Sequence, residues 1–384
     1  MILHTLIDYD TLRVIWWALL GVLLVGFALT DGFDLGVGMM LPFIGKTDVE
    51  RRVVINSIGP VWEGNQVWLI LSGGAIFAAW PQLYAVSFSG FYLAMFAILF
   101  ALILRPVGFK YRNKREDARW RNGWDIALFV GGFVPSLIFG VAIGNVLLGV
   151  PFRLDDDLRM YYDGTFFGLL TPFAILCGLV SVTMLLSHGA SWLRIKTQGV
   201  VAERARSVGM VATLLAIVLY ALAGYFLWSS VEGYRITSAI DPNGASNPLR
   251  KSVELVAAGW FDNYRNYSWT VIAPVLGFAG LIGAFIGLAG RKDGFSFISG
   301  SVGIIGIIAS VGASMFPVIL PSSVDPRSSL AVWDSSSSHL TLFIMLVVAV
   351  VFIPIIIAYT SWVYRVLWGK VTEADITDEK RHAY

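Results

Sequence analysis

Apolar runs, each about the length of a membrane crossing, alternate with short polar segments along the whole chain. They fall at about Val14–Leu41, Trp62–Trp80, Leu83–Leu104, Trp124–Val150, Phe166–His188, Val208–Ser230, Trp269–Ala289, Phe295–Phe316 and Leu340–Leu367. A helix needs roughly 20 apolar residues to cross a hydrocarbon layer of about 30 Å, so the pattern predicts about nine transmembrane helices. Only Pro81 and Gln82 separate the second run from the third, which demands a tight hairpin. The first run has no small-residue cleavage site and ends in the acidic DGFD, so it is expected to be a retained helix. No internal sequence repeat stands out.

Composition agrees with the pattern. The chain is 57% hydrophobic and 14% charged, against about 25% charged in soluble domains, and its mean hydropathy is +0.71. The expectation is an all-α integral membrane protein forming one polytopic domain over residues 1–384. Helices one to four would occupy about 14–150 and helices five to nine about 166–367, with a short charged tail at 368–384. No nucleic-acid partner is expected.

The formal net charge of +2 matters less than where the charges lie. With nine spans and the N-terminus outside, 20 of the 28 Lys and Arg residues fall in cytoplasmic segments and eight outside. Positive charge favours the cytoplasmic side, which sets the N-terminus outside and the C-terminus in the cytoplasm. Outside, the Arg153–Asp163 loop is acidic, and the Val231–Tyr267 loop is the longest, with turn signals at DPNG and SNP. That loop is either a functional or docking surface or a solvated connector.

Charges inside the apolar runs are few. Asp31 and Asp34, spaced i, i+3 on one face, sit near the inner end of the first helix. Glu63 lies between Trp62 and Trp68 at the inner start of the second helix, Arg105 and Pro106 end the third, and Asp125 starts the fourth. Ionisable groups at membrane depth are costly and mark functional sites by default. Four carboxylates and one guanidinium converging at one depth would form an ion-pair cluster, a proton-uptake route, or an ion or substrate site.

Other chemistry is sparse. Cys177, the only cysteine, reads as a small apolar side chain. His188 and His339 lie at helix ends, and His4 and His382 lie in the tails, without the pairing expected of a bis-histidine haem site. There is no Walker loop, Rossmann glycine fingerprint or HExxH motif.

Several long segments resemble subunit II of the cytochrome bd-type quinol oxidases. They include LRVIWWALLGVLLVGFALTDGFDLGVGM from Leu12, ERRVVINSIGPVWEGNQVWLILSGGAIFAAWP from Glu50 and SGFYLAMFAILFALILRPVGFKYR from Ser89. RWRNGWD from Arg119, FGVAIGNVLLGVPF from Phe139, ASNPL from Ala245, MFPVILPSS from Met315 and LAVWDSSSSHLTL from Leu330 continue the match to the tail. The resemblance implies two four-helix bundles plus a peripheral helix, and a heterodimer with subunit I. It places haems b and d and the quinol-oxidising site in that partner, and leaves room for a structural quinone and for small accessory subunits. The complex would oxidise quinol and reduce oxygen to water without a proton pump.

By position, the resemblance carries a cytoplasmic proton path onto Asp34, Glu63, Arg105 and Asp125, with Asp31 in the same motif, and an oxygen route onto Trp68. The chain departs from the family where Glu63 replaces Asp and where His339 replaces Gln. Two alternatives stay open: a purely structural assembly partner, and a proton-coupled secondary transporter. The transporter would call for broken helices at matching positions of two halves.

Overall fold

The computed structural model describes residues 6–377; His4, Lys380, Arg381 and His382 lie outside them. Fourteen helices follow in order: α1 (Tyr9–Leu29), α2 (Asp31–Ile44), α3 (Asp48–Ile58), α4 (Trp62–Ala79), α5 (Pro81–Gly90), α6 (Tyr92–Tyr111) and α7 (Ala118–Leu148). Then come α8 (Pro172–Lys196), α9 (Gly199–Ser229), α10 (Asp262–Asn266), α11 (Ile272–Ala289), α12 (Asp293–Met315), α13 (His339–Val366) and α14 (Glu373–Thr377).

Eight helical stretches are long and apolar enough to cross a membrane, with Tyr9–Ile44 counting as one. The ninth is α4, whose polar first turn (Glu63, Asn65, Gln66) dilutes its apolar content. Its path nevertheless carries it across. Glu63 at its start lies near Lys110 on the cytoplasmic side. At its other end, the carbonyls of Ala78 and Ala79 accept hydrogen bonds from Ser337, which belongs to the outer loops. At 18 residues it spans about 27 Å. Trp80 alone separates α4 from α5, the tight hairpin the sequence requires.

The helices run further inward than the apolar runs. α6 continues through Pro106 to Tyr111, so Arg105 does not end the third span. α8 extends to Lys196 and α9 begins at Gly199, nine residues before the apolar run. Charged residues on the α8 and α9 extensions pair with each other and with α12 and α3: Arg194 with Asp293 and Glu203 (2.8 and 2.7 Å), and Arg204 with Glu50 (2.8 Å). Polar helix ends of this kind project beyond the hydrocarbon, and hydropathy cannot see them.

α1–α2, α4, α5–α6 and α7 form one bundle, and α8, α9, α11 and α12 a second. The two meet where α2 packs on α8 and α7 on α8. Close approach at the first seam depends on glycine: a Cβ on Gly189 would come within 2.7 Å of the Gly36 and Val37 backbone. α13 lies outside both bundles, against α1 and α4, with Leu342 its only buried apolar residue.

The outer connections form a cap. Three short antiparallel hairpins, β1 (Phe152–Leu154) with β2 (Met160–Tyr162), β3 (Glu232–Ile236) with β4 (Val253–Ala257), and β5 (Val318–Leu320) with β6 (Leu330–Ala331), carry it. Buried Arg13 of α1 ties it down through bonds to the Pro242 and Gly244 carbonyls and to the Ser246 and Ser336 hydroxyls. Lys251 and Asp334, both buried, pair at 2.7 Å. The long loop is therefore an ordered, anchored hairpin and not a solvated connector.

Candidate functional site

The site begins at the junction of α1 and α2. The Thr30 hydroxyl donates to the Gly26 carbonyl at 2.7 Å, a side-chain bond that competes with the backbone ladder and bends helices. His188 Nε2 lies 3.0 Å from the Leu29 carbonyl at the same break. A carbonyl only accepts, so Nε2 donates. The break sets Asp31 and Asp34 in the first turn of α2, where the helix dipole favours carboxylates.

Arg105 of α6 meets Asp31 as a fork: Nη2 reaches Oδ1 at 2.6 Å and Nη1 reaches Oδ2 at 3.0 Å. Both groups are buried. Seven residues on, just past the end of α6, the short turn at 112–114 presents Arg112, whose Nε and Nη2 lie 2.5 and 3.1 Å from the two oxygens of Asp125. Arg51 adds a third bond to Asp125 at 2.8 Å, and Arg112 and Arg121 hold Asp48 at 3.0 and 2.9 Å. Two ionic levels thus stand about 10 Å apart along α6, with Phe109 and Leu128 between them. A small cavity of about 10 Å³ at that point is lined by Asp34, Arg105, Phe109, Leu128 and α3 residues. That is close to the room one water molecule needs.

Asp34 is held differently. Its Oδ2 accepts from Asn65 Nδ2 at 2.7 Å, and Asn65 Oδ1 accepts from the Tyr364 hydroxyl of α13 at 2.6 Å. Its Oδ1 has no hydrogen-bond partner among the described residues.

The expected convergence at one depth is corrected. Asp31, Asp34 and Arg105 share one level and Asp125 lies on the lower one, while Glu63 joins neither. Its side chain is 65% exposed, with Lys110 3.9 Å away. The reason is helical geometry: Trp62, Asn65 and Trp68 turn inward, and position 63 falls on the other side. The inward polar residue of α4 is Asn65. Trp68 is buried against α1, where a Cβ on Gly26 would come within 2.7 Å of its ring.

Sequence reasoning also missed Arg112, Arg51, Asp48 and Tyr364. Arg112 was findable, since i+7 on a helix repeats a face, once α6 is continued past Pro106. Tyr364 was not, because no local pattern brings the last span onto the second.

The two described histidines each engage one ring nitrogen within the chain. The His188 ring stacks on Phe297 with Nε2 engaged at Leu29. His339 stacks on Tyr9 with Nε2 2.8 Å from the Ile7 carbonyl, a bond that a glutamine amide could also make. Among the described residues no group of three or more His, Cys, Asp or Glu could hold a metal ion.

Among the described residues, nine spans and a buried ionic ladder define a multi-pass membrane protein with polar groups at membrane depth. The chain belongs to the cytochrome bd terminal oxidase subunit II family, whose model matches residues 12–367. It is 48% identical over 379 residues to cytochrome bd-I ubiquinol oxidase subunit 2 of Escherichia coli K12, covering 99% of this chain and 100% of that one. It is 29% identical to cytochrome bd ubiquinol oxidase subunit 2 of Bacillus subtilis, over 95% and 98% of the two chains. The solved bd oxidase of Geobacillus thermodenitrificans shares the fold, with a TM-score of 0.67 at 17% identity over 93% of this chain and 98% of that one. The protein is thus a subunit of a quinol oxidase, an oxidoreductase complex, and membership implies a partner subunit I.

Proposed function

We propose that this chain supports assembly with a haem-bearing subunit I and lines a cytoplasmic proton-uptake path toward that partner. Quinol and oxygen would react in the partner. The observation that carries the reading is the buried pair of ionic levels, Arg112–Asp125 below and Arg105–Asp31 above, with Asp34, whose Oδ1 has no partner among the described residues, on the wall of a water-sized cavity next to the upper level. Both arginines stay charged at any physiological pH and occupy both oxygens of their carboxylates with hydrogen bonds. Asp34, without an ion-pair partner, is the group free to gain and lose a proton.

Glu63 would serve at the mouth of such a path or against the partner, since it faces outward in this chain. Trp68 would border an oxygen route. A structural quinone, small accessory subunits and bound lipid remain compatible with the family, and no pump is required if protons for oxygen reduction come from the cytoplasm and quinol protons leave outside. The transporter reading lacks support: breaks at Thr30 and Phe91 in the first bundle have no counterpart in α8, α9, α11 or α12. An optical spectrum of the complex purified through a tag on this chain tests the assembly role. Co-purifying b- and d-type haem bands are expected, and their absence would refute it.

A further inference from the structure

The two oxygens of Asp34 have different surroundings, and the difference has a chemical consequence. Oδ2 is fixed by the fully buried Asn65, whose amide is itself oriented by Tyr364. A phenol hydroxyl donating to Asn65 Oδ1 leaves the amide only one way to face, with Nδ2 toward Asp34. An amide between two oxygens does not relay protons as a hydroxyl or water does, so this chain is a clamp and not a wire. Oδ1 alone is free of protein partners.

The charged or titratable groups facing Asp34 are Asp31 on its own helix, Arg105 from α6 and Tyr364 through Asn65. From α3 and α7 the cavity beside it receives only Val54, Ile55, Ile58, Leu128 and Gly132. Among the described residues no other ionisable side chain lines the cavity at that point.

We propose that Asn65 and Tyr364 are positioning residues for proton uptake: they pin Oδ2 of Asp34 and leave Oδ1, the oxygen without a hydrogen-bond partner among the described residues, as the atom that exchanges protons. This rests on the proton-path reading above and goes beyond it by assigning the exchanging atom and the parts that hold it. Because the Asn65 N–H stabilises the ionised carboxylate, its loss makes Asp34 hold a proton more tightly.

The test uses the purified two-subunit oxidase, with turnover normalised to haem. Asn65→Leu is expected to move the midpoint of the pH profile of kcat to higher pH by about one unit, a tenfold change in proton affinity. Tyr364→Phe, which removes one oxygen atom, is expected to move it the same way by less. KM for quinol should not change in either variant. The carboxyl infrared band that disappears in Asp34→Asn should shift in both, which a merely structural role would not produce. If Asn65→Leu fails to assemble, Tyr364→Phe decides. An unchanged pH profile and band in Tyr364→Phe, with Asp34→Asn slow, overturns the positioning role and leaves the proton path standing. Parent-rate turnover in Asp34→Asn removes both.

Discussion

Arg105 and Asp31 share two hydrogen bonds, 2.6 and 3.0 Å long, in the middle of the first bundle, where both side chains are out of water. A buried pair of this kind is weak evidence for stability in itself, but breaking it strands a charge at a cost of about 3–5 kcal/mol. Arg105→Leu is therefore expected to lower the yield and thermal stability of the assembled complex sharply. Arg105→Lys should recover only part, because an ammonium cannot make the fork. Thermal melting of the solubilised complex measures both.

Glu63 behaves oppositely. Its outward position and its long contact with Lys110 predict that Glu63→Gln changes the stability of this subunit by no more than about 0.5 kcal/mol. Turnover per haem should fall less than in Asp34→Asn. A larger loss in Glu63→Gln, with normal assembly, would transfer the main proton role to the mouth.

How much of this was legible in the sequence depends on whether a pattern is local. Nine spans, their alternation and the carboxylates Asp31, Asp34 and Asp125 follow from hydropathy and loop charge, and the outer loops that meet in the cap agree with that alternation. The sequence misplaces the depth of Arg105 because proline ordinarily ends a helix, whereas α6 continues through Pro106 with six more residues beyond Arg105 to its end. Orientation was misread at Glu63 because adjacent positions on a helix face different ways, and the carboxylate drew attention from Asn65 two residues on. The clamp of Tyr364 on Asn65 joins positions 299 residues apart, a contact that only the assembled fold supplies.

The outer cap offers an independent test. Burial pushes the Lys251 amine down and the Asp334 carboxyl up from their usual ranges, and each holds the other ionised. Lys251→Met is expected to cost about 3–5 kcal/mol and to make the 231–267 hairpin sensitive to protease. The double variant Lys251→Met with Asp334→Leu should recover most of that loss. Asp334 alone would have a raised folded-state value, so its neutral form favours the fold. The single variant should be relieved in mild acid and worsen as pH rises through that value.

At the inner face, Glu50 closes a capping box on α3, accepting from the Lys46 and Thr47 amides at 2.6 and 3.2 Å and pairing with Arg204 at 2.8 Å. Burial alone would raise its carboxyl, but the Lys46 amide and Arg204 outweigh burial and hold it below the usual range. A lowered carboxylate stabilises the fold above its unfolded value and loses that contribution as pH falls through the folded one. Protection of the Lys46 and Thr47 amides from hydrogen exchange, relative to the free-amide rate at each pH, is expected to be high at neutral pH and to fall as pH drops through the lowered Glu50 value. Glu50→Gln should show the lower protection at all pH values.

The proton role of this chain stands or falls on Asp34. The direct measurement is oxygen consumption per haem by the purified complex carrying Asp34→Asn, an isosteric change that keeps a group able to bond with Asn65 but cannot carry a proton. A fall of tenfold or more, with the haem spectrum and complex yield intact, is the expected result. Turnover at the parent rate in the same preparation would contradict proton uptake through this bundle and leave the chain an assembly partner.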